Sequence, residues 1–180
     1  MNKVMPMRLF IAIQLSEEAR QLVEDIQTTF RWRHVKGNYS PKENLHITLA
    51  FIGDYGDPEH VLDAMDTVAF DPFTLQLDHI GCFDELLWAG VSDSSELEAL
   101  AKNLRHALAD AGIPFDKKKF KPHITFLRKP EYTQGSITHM SFEPAAIHVN
   151  RISLMQSTRG KNGMIYTELG SVEAGRRREK

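Results

Sequence analysis

His46-Ile47-Thr48-Leu49 and His123-Ile124-Thr125-Phe126 are two copies of one phrase: histidine, apolar, threonine, apolar. Each lies within a largely apolar run, Leu45 to Ile52 and Pro122 to Arg128. Successive side chains of a β-strand point to opposite faces. As a strand, the first run puts His46 and Thr48 on one face and Leu45, Ile47 and Leu49 on the other. The second run opposes His123 and Thr125 to Ile124 and Phe126 in the same way. Each strand buries an aliphatic face and presents an imidazole beside a hydroxyl. Two such strands facing each other surround one small cavity with two acid–base groups and two hydrogen-bond donors. In-line substitution at a phosphodiester sets the entering and leaving oxygens on opposite sides of phosphorus. One group must take a proton and another must give one, and two imidazoles do both near neutral pH. The threonine hydroxyls can donate to the non-bridging oxygens, where charge develops. This chemistry calls for no metal and no cofactor.

Outward from these strands, helices interleave with strands. Arg8 to Gln14 reads as a strand. Ser16 caps a helix that starts at Glu17 and Glu18 and runs to about Phe30. Trp32 to Asn44 is polar and turn-rich, with Gly37, Asn38 and Pro41. Pro58 to Val68 reads as a second helix with its proline in the first turn. Phe73 to Ile80 alternates as a strand, and Leu86 to Val91 is another. Ser94 to Ala111 is the clearest helix: Leu97, Leu100, Ala101, Leu104 and Leu108 form a stripe at helical spacing. Gly112 and Pro114 stop it. Residues 129–144 read as a loop. Ala146 to Met155 and Gly163 to Leu169 read as two strands joined around Gly160. The expected fold is α+β: two pseudo-symmetric lobes of mainly antiparallel sheet, flanked by helices, each bringing one histidine strand to a shared cleft. A single bilobal domain over residues 1–170 is expected, followed by a polar, disordered tail, 171–180, that carries Arg176-Arg177-Arg178.

A chain of 180 residues, 42% hydrophobic and 26% charged, is long enough for a proper core. The net charge of −2 argues against broad binding to long nucleic acid, which needs a basic surface, but leaves room for recognition of one nucleotide or one RNA end. Cys82 is the only cysteine, so an internal disulfide is excluded. It reads as a small core residue in a reducing compartment. Standard zinc motifs are missing. The apolar run Leu9 to Ile13 is too short for a signal peptide, and no stretch has the length of a membrane span. A cytoplasmic monomer is expected.

The paired tetrapeptides resemble the HxTx motifs of the two-histidine (2H) phosphoesterase superfamily. Within it the chain resembles the bacterial and archaeal RNA 2′,3′-cyclic phosphodiesterases, also called 2′-5′ RNA ligases. Arg8-Leu9-Phe10-Ile11-Ala12-Ile13 is similar to the family's opening strand, and Asn44 to Gly53 and Phe120 to Arg128 to its two motif blocks. Ile152 to Leu169, ending Tyr166-Thr167-Glu168-Leu169, resembles its closing hairpin. The resemblance implies hydrolysis of an RNA 2′,3′-cyclic phosphate to a 2′-phosphate, with 2′-5′ ligation as the reverse chemistry of the same site. It implies His46 as proton donor, His123 as proton acceptor, and Thr48 and Thr125 on the phosphate oxygens. Phe126 stands where leucine is usual, on the buried face.

Arg128 matches an arginine of the second block, yet strict alternation places it with Ile124 and Phe126, away from His123. It reaches a phosphate only if the strand ends, bulges or twists there. Phe10 and Tyr166 are candidates to stack on a base, or else core aromatics. Lys117, Lys118, Lys119 and Lys121 either raise the local positive potential or form a solvated loop. His34, His60, His79, His106, His139 and His148 share no pattern. Three other readings stay open: a phosphodiesterase for another small cyclic phosphate, a non-catalytic module binding an RNA end or nucleotide, and a metal protein ligated through His46 and His123.

Overall fold

A computed structural model describes residues 7–131 and 140–175. Nine strands form two antiparallel sheets among these residues, with three α-helices packed against them. The strands are β1 (Met7–Gln14), β2 (Lys36–Tyr39), β3 (His46–Tyr55), β4 (Phe73–Phe83), β5 (Leu86–Val91), β6 (Ile124–Glu131), β7 (Ala145–Val149), β8 (Arg151–Gly160) and β9 (Gly163–Glu173). The helices are α1 (Glu17–Trp32), α2 (Pro58–Asp66) and α3 (Ser95–Asp110). Each helix begins at a side-chain cap that accepts from an otherwise unpaired N–H. Ser16 accepts from Ala19, Asp57 from His60 and Ser94 from Leu97.

One sheet has the order β3-β1-β8-β9 and the other β2-β6-β5-β4-β7. Apart from β2, the two orders correspond. Each motif strand pairs with the strand that precedes a long helix, β3 with β1 and β6 with β5. The helices cross over: α1 leaves β1 yet packs on β6 and β7, and α3 leaves β5 yet packs on β3. This exchange joins the halves around one continuous core, in which Leu9, Ile11, Phe30, Ile47, Leu49, Leu104, Ile124, Phe126 and Leu154 are all buried. The buried faces expected for the motif strands are thus the observed ones.

Several elements differ from expectation. Lys36–Tyr39, within the stretch read as turns, adds to the edge of β6 as β2. The single strand expected from Ala146 to Met155 is two strands in different sheets, parted at Asn150. The buried positions change phase there, from Ile147 and Val149 to Ile152 and Leu154, because the chain crosses from one sheet to the other. Strand β4 continues to Phe83 and β9 to Glu173, and β6 runs on through Pro130 into the expected loop. Cys82 is exposed, contrary to the core role expected, because the β4–β5 hairpin extends past the core. Arg176 to Arg178, His139 and the rest of 132–139 lie outside the described residues. Among the described residues no helix is long and apolar enough to cross a membrane.

Candidate active site

A cleft of about 960 Å³ lies between the outer faces of the two sheets, and His46, Thr48, His123, Thr125, Arg128, Phe10 and Tyr166 all line it. Arg8, Phe51 and Arg159 complete its walls from the four-stranded sheet, and Asn38 and Leu86 from the other. The cleft lining contains three arginines and no carboxylate. It therefore favours an anion.

Both histidines are oriented alike. His46 Nδ1 lies 2.6 Å from the Asn44 carbonyl, and His123 Nδ1 lies 2.6 Å from the Lys121 carbonyl, each two residues back along the chain. A carbonyl only accepts, so each Nδ1 carries the hydrogen and each Nε2 is left for proton transfer. His46 Nε2 sits 2.9 Å from Thr48 Oγ1. The loop before β3 is held in turn by Asn44 Nδ2, which donates to the Met164 carbonyl at 2.9 Å. Met164 and Tyr166 belong to β9, so this bond joins the histidine's anchor to the hairpin that carries Tyr166.

Each imidazole also packs against two aromatic rings. Phe10 and Tyr166 lie 5.0 and 5.3 Å from His46, and 5.0 Å from each other. Phe10 is buried, in a small cluster of its own with Ala12 and Met155. Phe83 and Trp88 lie 5.3 and 6.2 Å from His123, and 4.9 Å from each other. The second pair was not foreseen. Phe83 and Trp88 flank the β4–β5 turn, and their approach to His123 follows from β5 pairing with β6, which no local pattern reveals.

Burial is the largest influence on His46, and it lowers the pKa below the ordinary imidazole value. The Asn44 carbonyl opposes this by raising it, while the charges of His123 and Arg128 lower it further.

Arg128 reaches the cleft because β6 bulges. Opposite β5, Leu87 pairs with Leu127 but Trp88 pairs with Thr125, so Phe126 is an extra residue. Phe126 and Leu127 are consecutive buried residues, and the phase of alternation reverses after them. Strand β3 does the same at the same place in its motif. Ile11 pairs with Ala50 and Ala12 with Thr48, leaving Leu49 extra, and Leu49 and Ala50 are both buried. Phe51 thereby enters the cleft in the position that Arg128 holds in the other half. Arg8 lies over the Phe51 ring at 5.3 Å and restores a cation there. The lysines 117–119 do not line the cleft. Among the described residues, no three His, Cys, Asp or Glu side chains are grouped to hold a metal ion.

Comparison with known proteins places this geometry in a family. The family model described as the 2′-5′ RNA ligase superfamily matches residues 11–161. An RNA 2′,3′-cyclic phosphodiesterase of Archaeoglobus fulgidus is 30% identical over 93% of this chain and 100% of its own length. One of Thermotoga maritima is 29% identical over 91% and 93%. Among solved structures, Escherichia coli LigT in its apo form superposes with a TM-score of 0.81 at 26% identity, covering 96% of this chain and 99% of its own. LigT complexed with 3′-AMP gives 0.79 with the same identity and coverage. By its two bulged HxTx strands and by these relatives, the chain belongs to the RNA 2′,3′-cyclic phosphodiesterase family of the 2′-5′ RNA ligase superfamily, a group of two-histidine phosphoesterases.

Proposed function

We propose that this protein hydrolyses RNA 2′,3′-cyclic phosphate ends to 2′-phosphates without a metal ion, using His46 as proton donor and His123 as proton acceptor. The observation that carries this is one carboxylate-free cleft in which two imidazoles are each fixed through Nδ1 on a carbonyl, each followed two residues on by a threonine that also lines the cleft. His123 Nε2 takes a proton from water as the water oxygen attacks phosphorus. The bond to the 3′ oxygen breaks on the opposite side, and His46 Nε2–H protonates that oxygen. The 2′ ester bond is kept. Thr48, Thr125 and Arg128 donate to the non-bridging oxygens. The turnover leaves His46 neutral and His123 protonated, and exchange with solvent resets them. A 5′-hydroxyl in place of water yields a 2′-5′ linkage by the same path.

The complexed LigT structure and the named activity of the relatives support this substrate class. Tyr166, half-buried beside the proposed donor, offers a face for the terminal nucleoside, whereas Phe10 is buried and takes the core role that the sequence left open, backing the His46 ring. The test is incubation with an RNA ending in a 2′,3′-cyclic phosphate, with and without EDTA. The expected product carries a phosphate that a 3′-specific phosphatase does not remove, formed equally fast in EDTA. A 3′-phosphate product would reverse the assigned regiochemistry. Loss in EDTA, restored by zinc or magnesium, would replace the mechanism with a metal-dependent one. Binding without turnover would leave a nucleotide-binding module.

A further inference from the structure

The bulge that delivers Arg128 is held from the other half of the molecule. Gln27 lies on the buried face of α1 among Val23, Ile26 and Phe30, and is 3% exposed. Its Nε2 donates to the Phe126 carbonyl at 3.0 Å and to the Ser40 carbonyl at 2.9 Å. The Ser40 N–H donates to the same Phe126 carbonyl at 2.9 Å, and Ser40 Oγ donates to the Thr125 carbonyl at 3.1 Å. Phe126 is the extra residue of the bulge, and such a residue is left out of the ladder. Its buried carbonyl needs a donor from elsewhere. An amide on an apolar helix face stabilises less by burial than an aliphatic chain would. The two carbonyls it meets account for its presence.

The other half repeats the arrangement. Arg105 of α3 donates through Nε to the Leu49 carbonyl at 3.3 Å, and Leu49 is the extra residue of β3. The Asp116 N–H, from the chain leading to β6, donates to the Phe51 carbonyl at 2.8 Å. In both halves a crossed-over helix and the segment before a motif strand grip the bulge of the opposite motif strand.

We propose that Gln27 is a positioning residue of the phosphate site: its buried amide holds the β6 bulge and so turns Arg128 into the cleft, as Arg105 does for Phe51. Without that grip β6 relaxes toward regular alternation, which carries Arg128 to the face opposite His123. The claim deepens the functional reading above and rests on it for the role of Arg128.

Gln27→Met keeps the chain length and removes the donor. Inorganic phosphate is titrated into the wild type, Gln27→Met, Arg128→Ala and the double variant, alongside turnover of a cyclic-phosphate RNA. Each single variant is expected to bind phosphate about tenfold to a hundredfold more weakly, the range for a hydrogen bond to a charged group. The double variant is expected to match Arg128→Ala alone, because residues in one network do not add. Losses that multiply, or a Gln27→Met protein with wild-type affinity, overturn the proposal. A crystal structure of Gln27→Met reads the bulge directly: Arg128 outside the cleft supports the claim, and an intact bulge defeats it. If Gln27→Met does not fold, Gln27→Glu serves. Protonation of its carboxyl restores a donor, so its phosphate affinity relative to wild type should recover as pH falls, and a constant deficit overturns the claim. A wild type that neither binds phosphate nor turns over a cyclic phosphate would defeat the functional reading alone, while the crystal structure still decides the role of Gln27.

Discussion

Burial acts on His46 against the charge that proton donation requires. In the free cleft burial, joined by the charges of His123 and Arg128 and opposed by the Asn44 carbonyl, pushes the imidazole toward its neutral form. A bound phosphate anion beside Nε2 reverses the balance, because an opposite charge favours the imidazolium. On the proposed mechanism the substrate thus arms its own donor. The sign of the pH dependence follows. Double protonation of the pair, which leaves no base, requires His46 to take up a proton, and its lowered value holds that step back to lower pH. The acid limb of kcat/KM should therefore lie below the ordinary histidine value near 6.5. The two limbs belong to the coupled pair rather than to single residues. A pH–rate profile on a cyclic-phosphate RNA checks this, and an acid limb above that value would contradict it. His46→Ala and His123→Ala should each lower kcat by ~10²–10⁴ while the far-ultraviolet circular dichroism stays unchanged. Their roles separate on a substrate with sulfur in place of the 3′ oxygen. A thiolate leaves without protonation, so His46→Ala should recover most of its loss there and His123→Ala should not.

The edge strand β2 shows how an element with no pattern of its own takes part in the site. Asn38 pairs with Arg128 and Tyr39 with Leu127, so β2 caps the bulged end of β6. Gly37 makes the approach possible. Its φ is +149°, and a Cβ there would lie 2.9 Å from Leu127 Cδ1 and 3.0 Å from the Arg128 and Lys129 carbonyls. Gly37→Ala should cost about 1–3 kcal/mol in strain and displaced pairing, and weaken phosphate binding as well. Gly112→Ala is the control, for Gly112 also has positive φ but has open space around it. It should destabilise without touching phosphate affinity. Thermal melts and phosphate titration of both variants distinguish the two. The period of two in each HxTx strand made the faces of His46, Thr48, His123 and Thr125 legible, and the leucine stripe did the same for α3. Lys36-Gly37-Asn38-Tyr39 offers no apolar alternation, so β2 exists only because β6 supplies an edge. Arg128 defeated alternation for a related reason: a bulge is set by donors from α1 and the loop before β3, far away in sequence. Phe83 and Trp88 were hidden because strand order, not spacing, puts them beside His123.

The whole molecule carries a net charge of −2, yet its cleft gathers Arg8, Arg128 and Arg159 with no acid among the lining residues. The field that attracts an anion is therefore local. With a net charge of −2, the protein should hold the end of an RNA and ignore its length, because following the backbone calls for an extended basic surface. A single-stranded partner contributes a log–log salt slope of roughly −0.7 for each phosphate neutralised. With three arginines in the cleft, the slope for binding a 2′-phosphate-terminated oligonucleotide should be no steeper than about −2. A trinucleotide and a twenty-nucleotide strand with the same end should bind within about threefold of each other under that limit. Fluorescence anisotropy across a salt series measures both quantities. Affinity that climbs steeply with strand length, together with a steeper slope, would mean that cations outside the cleft take part. The residues 176–180, with three consecutive arginines, would then be the first to delete. If instead the end alone is held, that deletion leaves affinity unchanged and Arg8→Ala lowers it, because Arg8 is the cation that the Phe51 half of the cleft has in place of an arginine on its own motif strand.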